Sequence, residues 1–160
     1  MSRIGDFPDD DVAGWILKSP EIGAAMAAFA QAVYQRNRLP MRVRELARIV
    51  IAFDNECEVC VNTRDSKGPV AGVDEELYEH ALQWRTWPGF TEQERIAAEF
   101  AHRFATEHAV LRDDEDFWER CSAQFSDELL ADLALSCAMW VGMGRTLRTL
   151  DIGQSCKVTL

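Results

Sequence analysis

The sequence is short of positive charge. Its 17 lysine and arginine residues stand against 27 aspartate and glutamate residues, a formal net charge of −10. A phosphate backbone or an anionic lipid surface would repel such a chain at long range, so neither nucleic acid nor membrane is an expected partner. No stretch approaches the roughly 20 apolar residues that a bilayer crossing needs. Met1 to Asp11 also lacks the basic start and apolar run of a secretion signal, and a cytoplasmic protein is the expectation. Asn-Gly and Asp-Gly hairpin signals are missing, and there is no internal repeat or low-complexity segment. The five cysteines are an odd number. In a reducing compartment they suit thiols, metal ligands or catalytic groups better than a disulfide framework.

What is present is ordinary globular composition, 48% apolar and 28% charged over 160 residues, enough for one domain spanning 1–160 with a sizeable core. Apolar residues recur at helical spacing almost throughout, which predicts an all-α bundle of about seven or eight helices. Asp9 to Asp11 can open a short helix through Lys18. Ser19 and Pro20 have the form of an N-cap and first turn, with Ile22, Met26, Phe29 and Val33 as one stripe. Leu39-Pro40 ends that helix, and the next runs from about Met41 to Asp54 with Val43, Leu46, Val50 and Phe53 inward. A fourth helix should open near Cys57 and stop or kink at Gly68-Pro69. Asp74 caps a short fifth, Trp84 to Phe90 reads as a loop, and Thr91 with Glu94 forms a capping box for a sixth carrying Ile96, Ala97, Phe100, Ala101 and Phe104. A helix near Asp113 to Phe125 follows. Ser126 then caps a long final one with Leu130, Leu133, Cys137, Val141 and Gly144 on one face.

The chemically specific feature is Cys57-Glu58-Val59-Cys60, at or just inside a helix start, where unpaired amides and the helix dipole favour a thiolate. Two thiols at this spacing can close a disulfide, and a thiolate attacks peroxide or disulfide bonds while its neighbour resolves the product. Glu45 lies twelve residues upstream on an otherwise apolar line with Ile49 and Ala52. A carboxylate there either relays protons to and from the thiols or forms a salt bridge to Arg42 or Arg48.

The run Arg42-Val43-Arg44-Glu45-Leu46, the C-x-x-C that follows it, and the helix start Thr91-Glu92-Gln93-Glu94-Arg95 resemble the carboxymuconolactone decarboxylase and alkyl hydroperoxidase D-like superfamily, over roughly residues 40–150. The resemblance implies an all-helical fold assembled into trimers or hexamers, with no bound cofactor. It also implies a hydroperoxide or disulfide substrate and an external dithiol reductant. By position, Cys60 is the implied peroxidatic thiol, Cys57 the resolving thiol and Glu45 the relay carboxylate. The family pattern puts a histidine four residues after the second cysteine, where this chain has Arg64, and often another where it has Val59. Arg64 can favour a thiolate by its charge but cannot shuttle a proton. Acidic neighbours Asp54, Glu56 and Glu58 oppose it unless they point to solvent.

Competing readings remain for each feature. Structural zinc needs two more ligands, and no second cysteine pair exists. His80, His102 and His108 suit surface or capping positions, one of them being a candidate replacement for the missing relay. Cys137 belongs to the apolar stripe; Cys121 and Cys156 have no motif around them, and Cys156 could be exposed. Trp84, Trp87 and Phe90 with Trp140, Met139 and Met143 could line an apolar pocket or simply pack. Lactone or carboxylate chemistry without the cysteines, and a non-catalytic helical assembly or small-molecule binding module, are the alternatives to thiol redox chemistry.

Overall fold

The computed structural model describes residues 2–8 and 11–154. Among them are eight α-helices: α1 (Pro20–Gln35), α2 (Met41–Asp54), α3 (Glu58–Asn62), α4 (Glu75–Glu79), α5 (Glu92–Thr106), α6 (His108–Arg112), α7 (Glu115–Gln124) and α8 (Asp127–Thr149). Short 3-10 turns at Gly14–Lys18, Pro69–Ala71 and Ala81–Gln83 join them, and no strand occurs among the described residues. The fold is all-α.

Local chemistry sets most of the boundaries. Pro40 cannot donate and forces extended backbone before α2, while Asp74, Asp114 and Ser126 accept the N–H three residues on to open α4, α7 and α8. Both halves of the Thr91/Glu94 capping box form, at 3.2 and 2.7 Å. Asp11 bonds the Gly14 N–H at 2.6 Å, so the first turn starts later than its sequence suggests and is 3-10. Ser19 precedes α1 as expected, though its hydroxyl makes no cap.

Helix α2 is the axis of the molecule and is buried on every side from Val43 to Ala52. On one side it packs against α5 and α8 through Val43, Ala47, Ile51, Ile96, Phe100, Leu133 and Cys137. On the other, Leu46, Ile49 and Val50 meet Leu77, Tyr78 and Trp84. Helix α1 departs from the expected stripe, since Ile22 is 73% exposed while Val33 is buried and Phe29 and Met26 are only partly covered. The covered side runs instead through Gly23, Ala30, Val33 and Tyr34, toward α8. Gly23 lets the preceding 3-10 turn sit close, with Ile16 in the space a Cβ would take, so docking rather than the apolar stripe decides the face.

Candidate active site

Cysteines 57 and 60 are joined in a disulfide across a Cα separation of 5.2 Å. Cys57 occupies two roles at once. It is the N-cap of α3, and it closes the C-terminus of α2, its N–H reaching the Ala52 carbonyl at 3.1 Å while the Glu56 N–H reaches that of Phe53 at 2.9 Å. Glu56 sits between them in the left-handed region at φ 51°, which completes a Schellman ending. The end of α8 repeats the device: Asp151 has φ 56°, and the Ile152 N–H bonds the Leu147 carbonyl at 3.0 Å. The two endings converge, because Leu147 and Ile152 pack with Val59 around the fully buried Cys57. Gln154 adds its side-chain oxygen to the Glu58 N–H at 3.3 Å.

Cys60 is on the other side of this cluster, partly exposed, and lines a cavity of about 270 Å³ between α1, α2, α3 and α8. The walls are apolar: Ala30, Ile51, Val59, Met139, Met143 and Leu147. Tyr34, Arg48, Asn55 and Thr63 are the polar residues of the wall, and Trp140 lines it as well. Trp140, Met139 and Met143 thus meet the pocket reading of the sequence, whereas Trp84 and Trp87 pack on the far side of α2, Trp87 stacking on His80 at 4.5 Å.

Behind the cavity wall lies a buried ionic network. Glu45 is fully buried and takes Arg48 Nε at 2.8 Å, an Arg44 N–H at 3.3 Å and the Tyr78 hydroxyl at 3.3 Å. Arg44 continues to Asp65. Arg48 donates its remaining arms to the Cys60 carbonyl at 2.7 Å and the Thr63 carbonyl at 3.0 Å. A charge buried this deeply persists only with a close partner, and every charged member has one, although the buried Arg44 Nε–H meets no acceptor among the described residues. The salt bridge to Arg48 anticipated for Glu45 forms; Arg42 goes to Glu94 instead, at 2.7 Å. Glu45 does not line the cavity, and Arg48 connects it to Cys60. Burial first, then the Glu45 carboxylate, push the Tyr78 hydroxyl up to about 12.

The expected reach of the helix after Cys60 needs correction. It stops at Asn62 rather than near Gly68-Pro69, because Thr63 turns extended, bonds the Val59 carbonyl through its hydroxyl at 2.7 Å and gives its own carbonyl to Arg48. Arg64 is therefore not one helical turn from Cys60. Its guanidinium lies 3.8 Å over the Tyr78 ring and pairs with Glu75 at 3.0 Å. Glu56 and Glu58 are exposed, where solvent screens them. Asp54 holds His102 Nδ1 at 3.0 Å; burial raises its carboxyl above the ordinary range, and His102 opposes that. Cys121 and Cys137 are buried thiols in the core, and burial pushes Cys121 up to about 11 and Cys137 upward as well. Cys156 lies outside the described residues. Among those residues no three potential metal ligands converge, and no helix is long and apolar enough to cross a membrane. Sequence reasoning missed Tyr34, Tyr78 and the central place of Arg48; the signal was Arg44 and Arg48 inside a helix otherwise apolar enough to be buried.

The molecule is an all-helical bundle in which the second cysteine of a C-x-x-C pair lines an apolar cavity. The family model of the carboxymuconolactone decarboxylase family matches residues 20–103, and the chain belongs to that family. No curated protein is detectably similar in sequence. Among solved structures, a protein of unknown function from Agrobacterium tumefaciens with a suggested antioxidant-defence role as AhpD is 23% identical, with a TM-score of 0.72 over 86% of this chain and 93% of that one. The debrominase Bmp8 is 17% identical, with a TM-score of 0.73 over 93% of this chain and 78% of that one, and a cysteine-to-alanine variant of it holds 2,3,4-tribromopyrrole. A peroxidase-related protein from Silicibacter sp. TM1040 is 20% identical, with a TM-score of 0.71 over 89% of this chain and 74% of that one. These likenesses establish the AhpD-like fold.

Proposed function

We propose that the protein is a thiol-dependent oxidoreductase that reduces an organic hydroperoxide, or a disulfide, at Cys60 and Cys57. One observation carries the reading: of the two sulfur-bearing residues, Cys60 faces the cavity and Cys57 is sealed behind it. In the reduced protein the Cys60 thiolate attacks the terminal peroxide oxygen. The O–O bond breaks, the alcohol leaves with a proton, and Cys60 becomes a sulfenic acid. Cys57 then attacks the Cys60 sulfur, forming the bridge and releasing water. The sulfur pair gives up two electrons and the peroxide takes them. An external dithiol regenerates the pair by exchange at the accessible Cys60 sulfur, leaving as a disulfide.

Arg48 brings a positive charge to the backbone of Cys60, and nearby positive charge favours a thiolate. Glu45 acts through Arg48 and Arg64 through Tyr78, as positioning residues. The names of the structural neighbours, antioxidant defence and peroxidase-related, support the reading. The test is hydroperoxide turnover with a dithiol reductant. Wild type turns over and Cys60→Ser does not; absence of thiol-dependent turnover with both hydroperoxide and disulfide refutes the proposal.

A second reading, lactone or carboxylate chemistry without the cysteines, has the family model behind it. Activity unchanged in a double cysteine-to-serine variant would establish it. A binding module without turnover is the third, favoured by Val59 and Arg64 at the histidine positions. A homo-oligomer is proposed as well, because α1 leaves Ile22, Ala24, Ala25, Ala27 and Ala28 at the surface while its Ala30 and Tyr34 line the cavity. Sedimentation velocity should show more than one copy, and a monomer at micromolar concentration would contradict this.

A further inference from the structure

The reduction of a hydroperoxide needs a proton donor. When the O–O bond breaks, the inner oxygen departs as an alkoxide, and a positioned acid that protonates it speeds the step. The histidines do not serve: His80 stacks on Trp87, His102 is held by Asp54, and none of the three lines the cavity that Cys60 faces. Nor does Glu45 line it. Arg48 keeps its protons at any working pH, and its arms are taken by Glu45 and by the Cys60 and Thr63 carbonyls. The Thr63 hydroxyl donates to the Val59 carbonyl at 2.7 Å, and the Asn55 amide is held by the Trp140 carbonyl and Arg145. Apart from Cys60, the wall residue left with an acidic proton is Tyr34, partly exposed near the end of α1. Arg44 lies 5.6 Å over its ring, while Arg48 and the Trp140 indole, both of the cavity wall, act on its hydroxyl more strongly than Arg44 does. An indole N–H can only donate, so it meets the hydroxyl oxygen and leaves the hydroxyl proton free. Among the described residues no acceptor takes that proton. Burial pushes the hydroxyl up, which keeps it protonated, and the Arg48 charge favours the phenolate in turn.

We propose that Tyr34 is the general acid of the peroxide step: with the hydroperoxide lodged in the cavity between it and Cys60, its hydroxyl protonates the departing alkoxide. The Cys60 thiolate bonds to the outer oxygen, which keeps its hydrogen and becomes the sulfenic acid. The O–O bond breaks, and the inner oxygen takes the Tyr34 proton and leaves as the alcohol. The phenolate recovers a proton from water, and the Cys60 thiol gives one to water when it ionises for the next turnover, so protons balance over the cycle. The proposal rests on the redox reading, and it assigns to a residue of α1 the proton donation that Arg64 cannot perform at the histidine position.

The experiment compares two leaving groups on the fully reduced protein. Cumene hydroperoxide releases an alkoxide that needs a proton, whereas peracetic acid releases acetate, which is stable as an anion. Tyr34→Phe should slow Cys60 oxidation by cumene hydroperoxide about a hundredfold, as loss of a general acid does, and oxidation by peracetic acid less than about threefold. Alkylation of Cys60 by iodoacetamide should keep its rate, which separates proton donation from a change in the thiolate. Equal slowing with both oxidants, or no slowing with cumene hydroperoxide, overturns the proposal. Should Tyr34→Phe not fold, replacing Tyr34 by 3,5-difluorotyrosine keeps the hydroxyl and makes it more acidic. The cumene hydroperoxide rate should then begin its alkaline fall at lower pH than in the wild type, and an unmoved fall overturns the proposal. If neither reagent oxidises Cys60 in the wild type, the redox reading itself fails. If both do and Tyr34→Phe matches the wild type, the general acid alone fails.

Discussion

At the residue scale the two cysteines differ by environment, although their spacing makes them look alike. Cys57 lies among Val59, Leu147 and Ile152, and Cys60 opens on the cavity. Arg48 is the residue whose loss should be felt most widely, because it ties Glu45 to the backbone of Cys60. We predict that Arg48→Met leaves the fully buried Glu45 short of a partner and costs about 3–5 kcal/mol in urea denaturation, whereas an exposed control such as Arg112→Met changes stability by less than about 1 kcal/mol. Glu45→Gln should shift the pH profile of Cys60 alkylation in the reduced protein; an unmoved profile would mean that Glu45 is structural only. The cysteine pair, Glu45 and its bond to Arg48 were legible in the sequence as motif and spacing. The separate environments of Cys57 and Cys60 were not, since they depend on where α8 ends.

At the scale of elements, two helix endings shape the site with residues that sequence rules do not associate with them. Glycine is the usual occupant of the left-handed position after a helix, and here Glu56 and Asp151 hold it. Glu56→Gly should therefore raise stability by roughly 0.5–1 kcal/mol, seen as a higher urea midpoint at unchanged slope, and a loss of stability would contradict the strain argument. Gly144 on α8 allows the close approach of Asn55, which bonds the Trp140 carbonyl at 3.0 Å and accepts from Arg145 at 3.1 Å. Gly144→Ala should cost about 1–3 kcal/mol and widen the α2–α8 spacing at the cavity. Caps at Asp74, Thr91 and Ser126 were readable because one side chain writes each of them locally. The length of α3 was not, because carbonyls captured by Arg48, from a different helix, set it.

At the scale of the whole molecule, the two larger apolar clusters share α2, and we propose that the chain unfolds as one cooperative domain. A single denaturant transition, coincident by fluorescence and circular dichroism, is expected, and separated transitions would contradict it. Several buried acids make the fold sensitive to alkali. Burial pushes Tyr78 up to about 12 and Cys121 up to about 11. In the unfolded chain these groups release their protons at lower pH. Between about pH 9 and 12 the unfolded state therefore binds fewer protons and stability falls, by on the order of 2–3 kcal/mol for each group. The urea midpoint should drop steadily from about pH 8 to 11, and a flat profile would show these groups to be solvated. The all-helical class was legible from periodicity alone, while the rotation of α1 was not, because the close approach of Ile16 to Gly23 depends on tertiary docking and leaves Ile22 outside.

The most direct measurement is where oxidation first lands. The reduced Cys57→Ser protein, given one equivalent of cumene hydroperoxide and a sulfenic acid trap, should carry the label on Cys60, as read by peptide mass spectrometry. The reduced wild type should instead close the Cys57–Cys60 bridge, with Cys121 and Cys137 unmodified. Labelling of Cys57 in Cys60→Ser as fast as of Cys60 in Cys57→Ser, or no oxidation at either residue, would contradict the assignment of Cys60 as the sulfur that meets the substrate.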